Sequence, residues 1–197
     1  MAIVDEKFIG AYHFSDSRDK YMYEPMRNNT FLFTVPNIGD LTQPYDNAGS
    51  DVIKGTDAEE YLTLSVMKAP IPTYSIAPIE IRRGNSVMKA AGLPTFNQGE
   101  LTVRDFIGAD CLSVLQAWQK LAYDPETQLV GNMADYKRDC YLTQYNVDYS
   151  EVVHRWLLKG CWISALSQNP VDVESGDART VTATIQFDSG HILSANG

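Results

Sequence analysis

Hydrophobic and polar positions alternate most regularly near the end of the chain. Val181, Ala183, Ile185 and Phe187 fall on one side of an extended segment, and Thr180, Thr182, Thr184 and Gln186 on the other. A period of two sets one row against a core and turns the other toward water. Leu62, Leu64 and Val66 alternate in the same way with Tyr61, Thr63 and Ser65, and Ile79 and Ile81 with Glu80 and Arg82, so both patterns predict strands. Phe31–Val35 reads as a short apolar strand stopped by Pro36. Leu101–Phe106, Tyr136–Tyr145 and Glu151–Lys159 are further strand segments, rich in β-branched and aromatic residues. One helix breaks the pattern. Behind Asp110, a good N-cap, Cys111, Val114, Leu115, Trp118, Leu121 and Ala122 recur at steps of three and four, and Asp124-Pro125 ends the run. Strands that never settle into βαβ units predict a mainly β fold. The expected architecture is an antiparallel β-sandwich or partly open barrel with one flanking α-helix.

The rest of the chain arranges itself around one domain over residues 31–188. Residues 1–30 carry aromatics among charges without a period and read as an N-terminal arm. Residues 37–60 are rich in Gly, Asp, Asn and Pro, the composition of a long loop, residues 82–99 read as a second extended loop, and 189–197 as a C-terminal tail. Loops of such length are usually functional or disordered.

Composition removes several classes of function. The 197 residues, 44% hydrophobic and 21% charged, describe one folded domain rather than a disordered or coiled-coil chain. A net charge of −9 works against gripping phosphates and against docking on anionic lipid. The acidity is uneven, because residues 1–60 hold 11 acids and 5 bases. Cys111, Cys140 and Cys161 are odd in number and lack a CxxC spacing, which predicts buried free thiols in a reducing compartment. No stretch reads as a signal peptide, and no apolar run approaches the roughly 18 residues of a membrane span. The expected site of synthesis and folding is a cytoplasm.

Chemical motifs are sparse. GxxxxGK[ST], GxGxxG, HExxH and GxSxG are all missing, and His13, His154 and His191 are scattered, so neither cofactor nor metal is expected. Asp172, Glu174, Gly176 and Asp177 fall short of a calcium-loop spacing and read as a solvated turn. A pentapeptide occurs twice, as Ser65-Val66-Met67-Lys68-Ala69 and Ser86-Val87-Met88-Lys89-Ala90. Each copy contains an S-x-x-K tetrad, which on a helix sets a lysine beside a nucleophilic serine. An acyl-transfer enzyme using Ser86 and Lys89 is therefore one reading, and a sandwich that binds a small ligand is another.

The most informative stretch runs from Asp135-Tyr136-Lys137-Arg138-Asp139-Cys140 through Trp156-Leu157-Leu158-Lys159-Gly160-Cys161-Trp162-Ile163-Ser164 to Val181-Thr182-Ala183-Thr184-Ile185-Gln186-Phe187-Asp188. A charged strand, a strand ending in a Gly-x-Trp corner, an acidic loop and a closing alternating strand follow in that order. This resembles the C-terminal half of the tail tube proteins of contractile-tailed bacteriophages, the Hcp-like tube family. Gly99-Glu100-Leu101-Thr102-Val103 with the Trp118 helix, and Phe31–Val35, are similar to the family's upstream elements; Ile163 stands where the family favours proline.

The resemblance implies a structural virion protein without catalytic activity. Copies would close head to tail into hexameric rings that stack into a hollow conduit for DNA ejection inside a contractile sheath. The implied partners are further copies of the chain, the sheath protein, the tape measure protein and baseplate or initiator proteins. DNA would pass as non-sticking cargo, with no membrane involved. The implied location is the tail of a virion made in a host bacterial cytoplasm; the tube of a tailocin or type VI-like injection system is the alternative. Trp118, Trp156, Gly160 and Trp162 are the core signature of the resemblance. Arg82, Arg83, Met88, Lys89 and Phe96 lie on the segment that family members extend onto adjacent subunits, where a basic loop would meet the acidic N-terminal third of a neighbour. Thr180, Thr182, Thr184 and Gln186 are the candidate lumen-facing row, being small, polar and uncharged.

Overall fold

The computed structural model describes residues 25–41, 55–107, 110–170, 173 and 176–193. In chain order these form β1 (Phe31–Thr34), a 3-10 turn (Ile38–Leu41), α1 (Gly55–Ser65), β2 (Val66–Lys68), β3 (Tyr74–Arg83), β4 (Ser86–Phe96) and β5 (Gly99–Arg104). Then follow α2 (Cys111–Ala122), β6 (Tyr123–Asp124), β7 (Leu129–Val130), α3 (Met133–Tyr136), β8 (Arg138–Tyr145), β9 (Val152–Gln168), β10 (Thr180–Gln186) and β11 (Ser189–Leu193). The main sheet runs β1-β8-β9-β10-β5-β2, with β11 also bonded to β9, while β3 pairs with β4 and β6 with β7. All the pairings are antiparallel, so the fold is mainly β and open rather than a closed barrel.

The 17-residue β9 organises the molecule by changing sides half-way. Trp156 and Leu158 are buried before Gly160, and Cys161 and Ile163 after it, so the inward parity flips at the glycine. Its first half pairs with β8 and β11, and its second half with β10. An extra residue at a bulge produces this switch, and Gly160 takes it up with φ of 67°, a conformation that side chains disfavour. A Cβ there would stand 2.3 Å from Asp188 Oδ2, and Asp188 is held by Lys137 Nζ at 2.7 Å. The Gly160 N–H donates to Asp139 Oδ1 at 3.1 Å. Gly160→Ala is expected to lower stability by about 1–3 kcal/mol, read as a lower melting temperature with unchanged secondary structure.

Both halves of the bent sheet close on one core. Leu142 and Leu158, then Ile163, Val181, Ala183, Ile185, Leu101 and Val103, meet Val114, Leu115 and Trp118 of α2. α2 starts as its sequence requires: Asp110 Oδ1 accepts the Ser113 N–H at 2.9 Å. Trp118 is fully buried and donates Nε1–H to the Tyr136 carbonyl at 2.8 Å. The three cysteines are buried and form no disulfide, and burial pushes the Cys111 and Cys140 thiols above their ordinary range.

Several expectations differ from the structure. Residues 61–65 belong to α1, not to a strand: Ala58, Leu62 and Ser65 are the buried positions, at helical steps of four and three, while Leu64 is exposed. Over six residues the two periods overlap, and only contact with the core separates them. The expected loop of 37–60 therefore holds the 3-10 turn, with Ile38 fully buried, and the start of α1; residues 42–54 lie outside the described residues. Residues 82–99 are mostly strand, and the start of the expected tail is β11, bonded along β9. Of the expected arm, residues 1–24 lie outside the described residues, whereas Thr30 continues the β1 pairing by accepting the Tyr145 N–H at 2.8 Å.

Candidate inter-subunit surfaces

β3 and β4 form a two-stranded ribbon that pairs with no other strand among the described residues. Ten residues at about 3.3 Å each give β3 a length of about 33 Å. The two-residue turn Gly84-Asn85 carries φ of 62° at Gly84, where a type II′ hairpin places glycine. Every residue of β3 is exposed, and on β4 only Gly92 and Phe96 are half-buried. A ribbon of this kind is at best marginally stable in water without a surface to cover it.

Register shows where that cover comes from. At the base, Tyr74 faces Phe96 and Ile76 faces Pro94, on one side of the ribbon. Phe96 lies tilted against Tyr74 at 5.6 Å and edge-on against Phe187 of the body at 6.1 Å, so the half-buried Phe96 ties the base to the chain's own core, while Tyr74 and Ile76 beside it stay exposed. Toward the tip the same side becomes polar, carrying Glu80 opposite Lys89 and Arg82 opposite Val87. The apolar residues there, Ile79 opposite Ala90 and Ile81 opposite Met88, occupy the reverse side, followed by Arg83. Ile79, Ile81 and Met88 keep 55, 47 and 50% of their surface exposed. The apolar residues thus change sides along the ribbon: Phe96 fastens one side to the body at the base, and the opposite side is the apolar one at the tip.

The predicted row Thr180, Thr182, Thr184 and Gln186 is half-buried on the outer face of the sheet, behind the buried Val181, Ala183 and Ile185. It lies between Arg104, Thr102 and Glu100 of β5 and Ser167, Ala165 and Trp162 of β9. Gln186 donates to Gln98 at 2.7 Å, and the Thr102 and Thr182 hydroxyls lie 3.4 Å apart. Lys68 pairs with Glu100 at 2.7 Å and holds its carboxyl below the usual carboxylate range. The face is polar and its charges are nearly balanced. Of the other signature residues, Trp118 and Trp156 are in the core, and Trp162 is half-buried with its ring edge-on to Tyr136 at 5.9 Å.

Sequence reasoning missed a third surface, because it depends on α1. Thr34 at the end of β1 and Glu59, Glu60, Thr63 and Leu64 of α1 line an open groove of about 410 Å³. Leu64 is 71% exposed, and neither carboxylate forms an ion pair among the described residues.

Neither S-x-x-K tetrad sets its lysine beside its serine. Ser86 and Lys89 lie on opposite sides of the ribbon, and Ser86 Oγ donates to the Arg83 carbonyl at 3.0 Å. Ser65 is buried at the end of α1 while Lys68 is engaged by Glu100. Among the described residues, no group of three or more His, Cys, Asp or Glu could hold a metal ion, and no helix is long and apolar enough to cross a membrane.

No protein-family model and no curated protein matches the chain. Among solved structures, a chain of the sheath–tube complex of the extracellular contractile injection system PVC, in its extended state, aligns over 90% of this chain and 98% of its own, with a TM-score of 0.58 and 18% identity. The tube-terminating cap of the anti-feeding prophage aligns over 98% and 99%, also at 0.58, with 16% identity. The chain has the tail-tube fold. A chain of the six-fold symmetrised anti-feeding prophage baseplate has it too, over 87% of this chain and 97% of its own, at 0.55 and 15% identity. Within the tail-tube fold of this chain, the long ribbon and the outer polar face of β10 are among the features that the described residues leave exposed.

Proposed function

We propose that the chain is a structural subunit whose copies close head to tail into hexameric rings, stacked as a hollow tube inside a contractile sheath. The observation that carries this reading is the ribbon whose apolar side changes over between base and tip. Phe96 fastens the base to the body, and the apolar tip is left for a second surface. The short end strands β1 and β2 each have a strand on one side only among the described residues, and a head-to-tail ring supplies neighbours to such edges. The six-fold symmetry of the anti-feeding prophage baseplate supports a hexamer.

In this reading the β10 face, with Thr180, Thr182, Thr184 and Gln186, lines the bore. Without rows of free lysine or arginine it gives phosphates little to hold, so cargo passes without sticking. The ribbon residues Arg82, Arg83, Met88 and Lys89 reach an adjacent subunit while Phe96 anchors the base. Sheath, baseplate or initiator and tape measure proteins are the partners, and the assembled particle, rather than an enzyme's active site, is where the protein acts. A phage tail ejecting DNA and a phage-derived injection machine use the same kind of subunit. One of the solved structures with this fold comes from an extracellular contractile injection system, which favours the second.

Purified full-length protein viewed by electron microscopy, alone and with an initiator, is expected to show rings or tubes. Strictly monomeric protein even when templated overturns the reading. Lys89→Glu is expected to impair assembly while leaving the melting temperature unchanged; normal, salt-insensitive tubes from that variant would refute a role for the ribbon's charge.

A further inference from the structure

Resting on the tube reading, we propose that the receptor for the ribbon tip is the acidic groove between β1 and α1 of an adjacent copy. The tip brings two things that its own body does not use. One is the apolar side formed by Ile79, Ile81, Met88 and Ala90; the other is the basic set Arg82, Arg83 and Lys89, none of which forms an ion pair among the described residues. Even Lys89, directly across from Glu80 in register, makes none.

The groove offers the complement. Leu64 supplies an apolar side chain, Thr34 and Thr63 line the groove beside it, and Glu59 and Glu60 supply two carboxylates that form no ion pair among the described residues. Its volume of about 410 Å³ compares with the ~150 Å³ that accommodates a benzene ring, so it has room for more than one aliphatic side chain. Arg83 sits on the apolar side of the ribbon, beyond Ile81, and so meets the carboxylates when Ile81 and Met88 cover Leu64.

A second exposed apolar patch, Leu129, Val130 and Met133, fits less well, because the acids around it are already engaged. Asp124 and Glu126 both pair with Lys120 at 3.4 Å, and Asp135 accepts from Asn132 at 3.2 Å. The base of the ribbon is fastened to Phe187 and the apolar tip side faces the opposite way, and the occupant is a second copy of this chain because its groove offers both an apolar residue and carboxylates to Ile81, Met88 and Arg83.

Charge reversal tests the pairing in the full-length protein. Arg83→Glu alone, and Glu59→Arg with Glu60→Arg, are each expected to reduce sedimenting tubes by about tenfold or more, and all three together to restore them. Wild-type tubes without rescue overturn the groove and leave the tube reading standing; wild-type protein that never assembles overturns both. A second measurement does not depend on charge. Met88→Cys combined with Leu64→Cys, oxidised in assembled material, is expected to give a ladder of covalently joined subunits on a denaturing gel, the three native thiols being buried. No bond, or a bond confined to single chains, overturns the proposal.

Discussion

Replacing Trp118 with alanine is expected to cost about 3–5 kcal/mol and to be among the most damaging single changes in the chain. Its ring is fully buried on α2, at the point where both halves of the bent sheet converge. Deletion leaves a cavity enclosed by elements that cannot all move in, because β9 is held by strands on both sides. It also strips the Tyr136 carbonyl of the Nε1–H that it accepts, 18 residues further along the chain. Urea unfolding checks this directly: the midpoint should fall with the slope unchanged, as a loss of stability rather than of cooperativity requires. Trp162→Ala serves as the control. That ring is half-buried and touches Tyr136 from the outer face, so its loss should cost clearly less. Equal effects would mean that the core is not centred on α2.

The second large effect concerns assembly and leaves the monomer alone. Changing Ile79, Ile81 and Met88 together to serine is expected to abolish rings and tubes while moving stability by no more than about 1.5 kcal/mol. These three side chains are about half exposed, on a ribbon that pairs with no other strand among the described residues, so the unassembled chain loses little when they become polar. In an assembled tube the same apolar surface would be covered, and its burial at about 25 cal/mol per Å² would be lost at every subunit contact. Sedimentation and microscopy read the assembly, and thermal melting reads the fold. A large loss of melting temperature would show that the tip belongs to the body's core. Unchanged tubes would show that it has no partner.

Much of the architecture was legible because period and punctuation agreed. The α2 stripe came with its cap at Asp110 and its stop at Asp124-Pro125, and the alternation over 180–187 appears as β10 with its inner row buried and its outer row half-exposed. The Gly160-x-Trp162 corner could be placed from resemblance, but its reason lies in the parity flip of β9, which needs partners on both sides to be seen.

The errors share one cause. Leu62, Leu64 and Val66 satisfy a period of two and so read as a strand from Tyr61, whereas burial of Ala58, Leu62 and Ser65 at helical steps makes residues 61–65 the end of α1. The acidic groove followed from that helix and could not be found without it. Residues 82–99 read as a loop because their exposed side chains show no consistent pattern. A ribbon that covers opposite sides at its two ends produces that irregularity.

Taken by itself, the amino-acid order determined a mainly β, acidic chain with one well-marked amphipathic helix, three thiols without a disulfide framework, and a closing strand with a polar face. Those properties depend on neighbours within a few residues, where steric and solvation preferences act directly. Only the tertiary structure decided which strands pair, where β9 turns over, which segments form α1 and the ribbon, and which apolar residues remain uncovered. Each of these is set by contact between segments far apart in the chain, and burial is a property of that contact rather than of any residue.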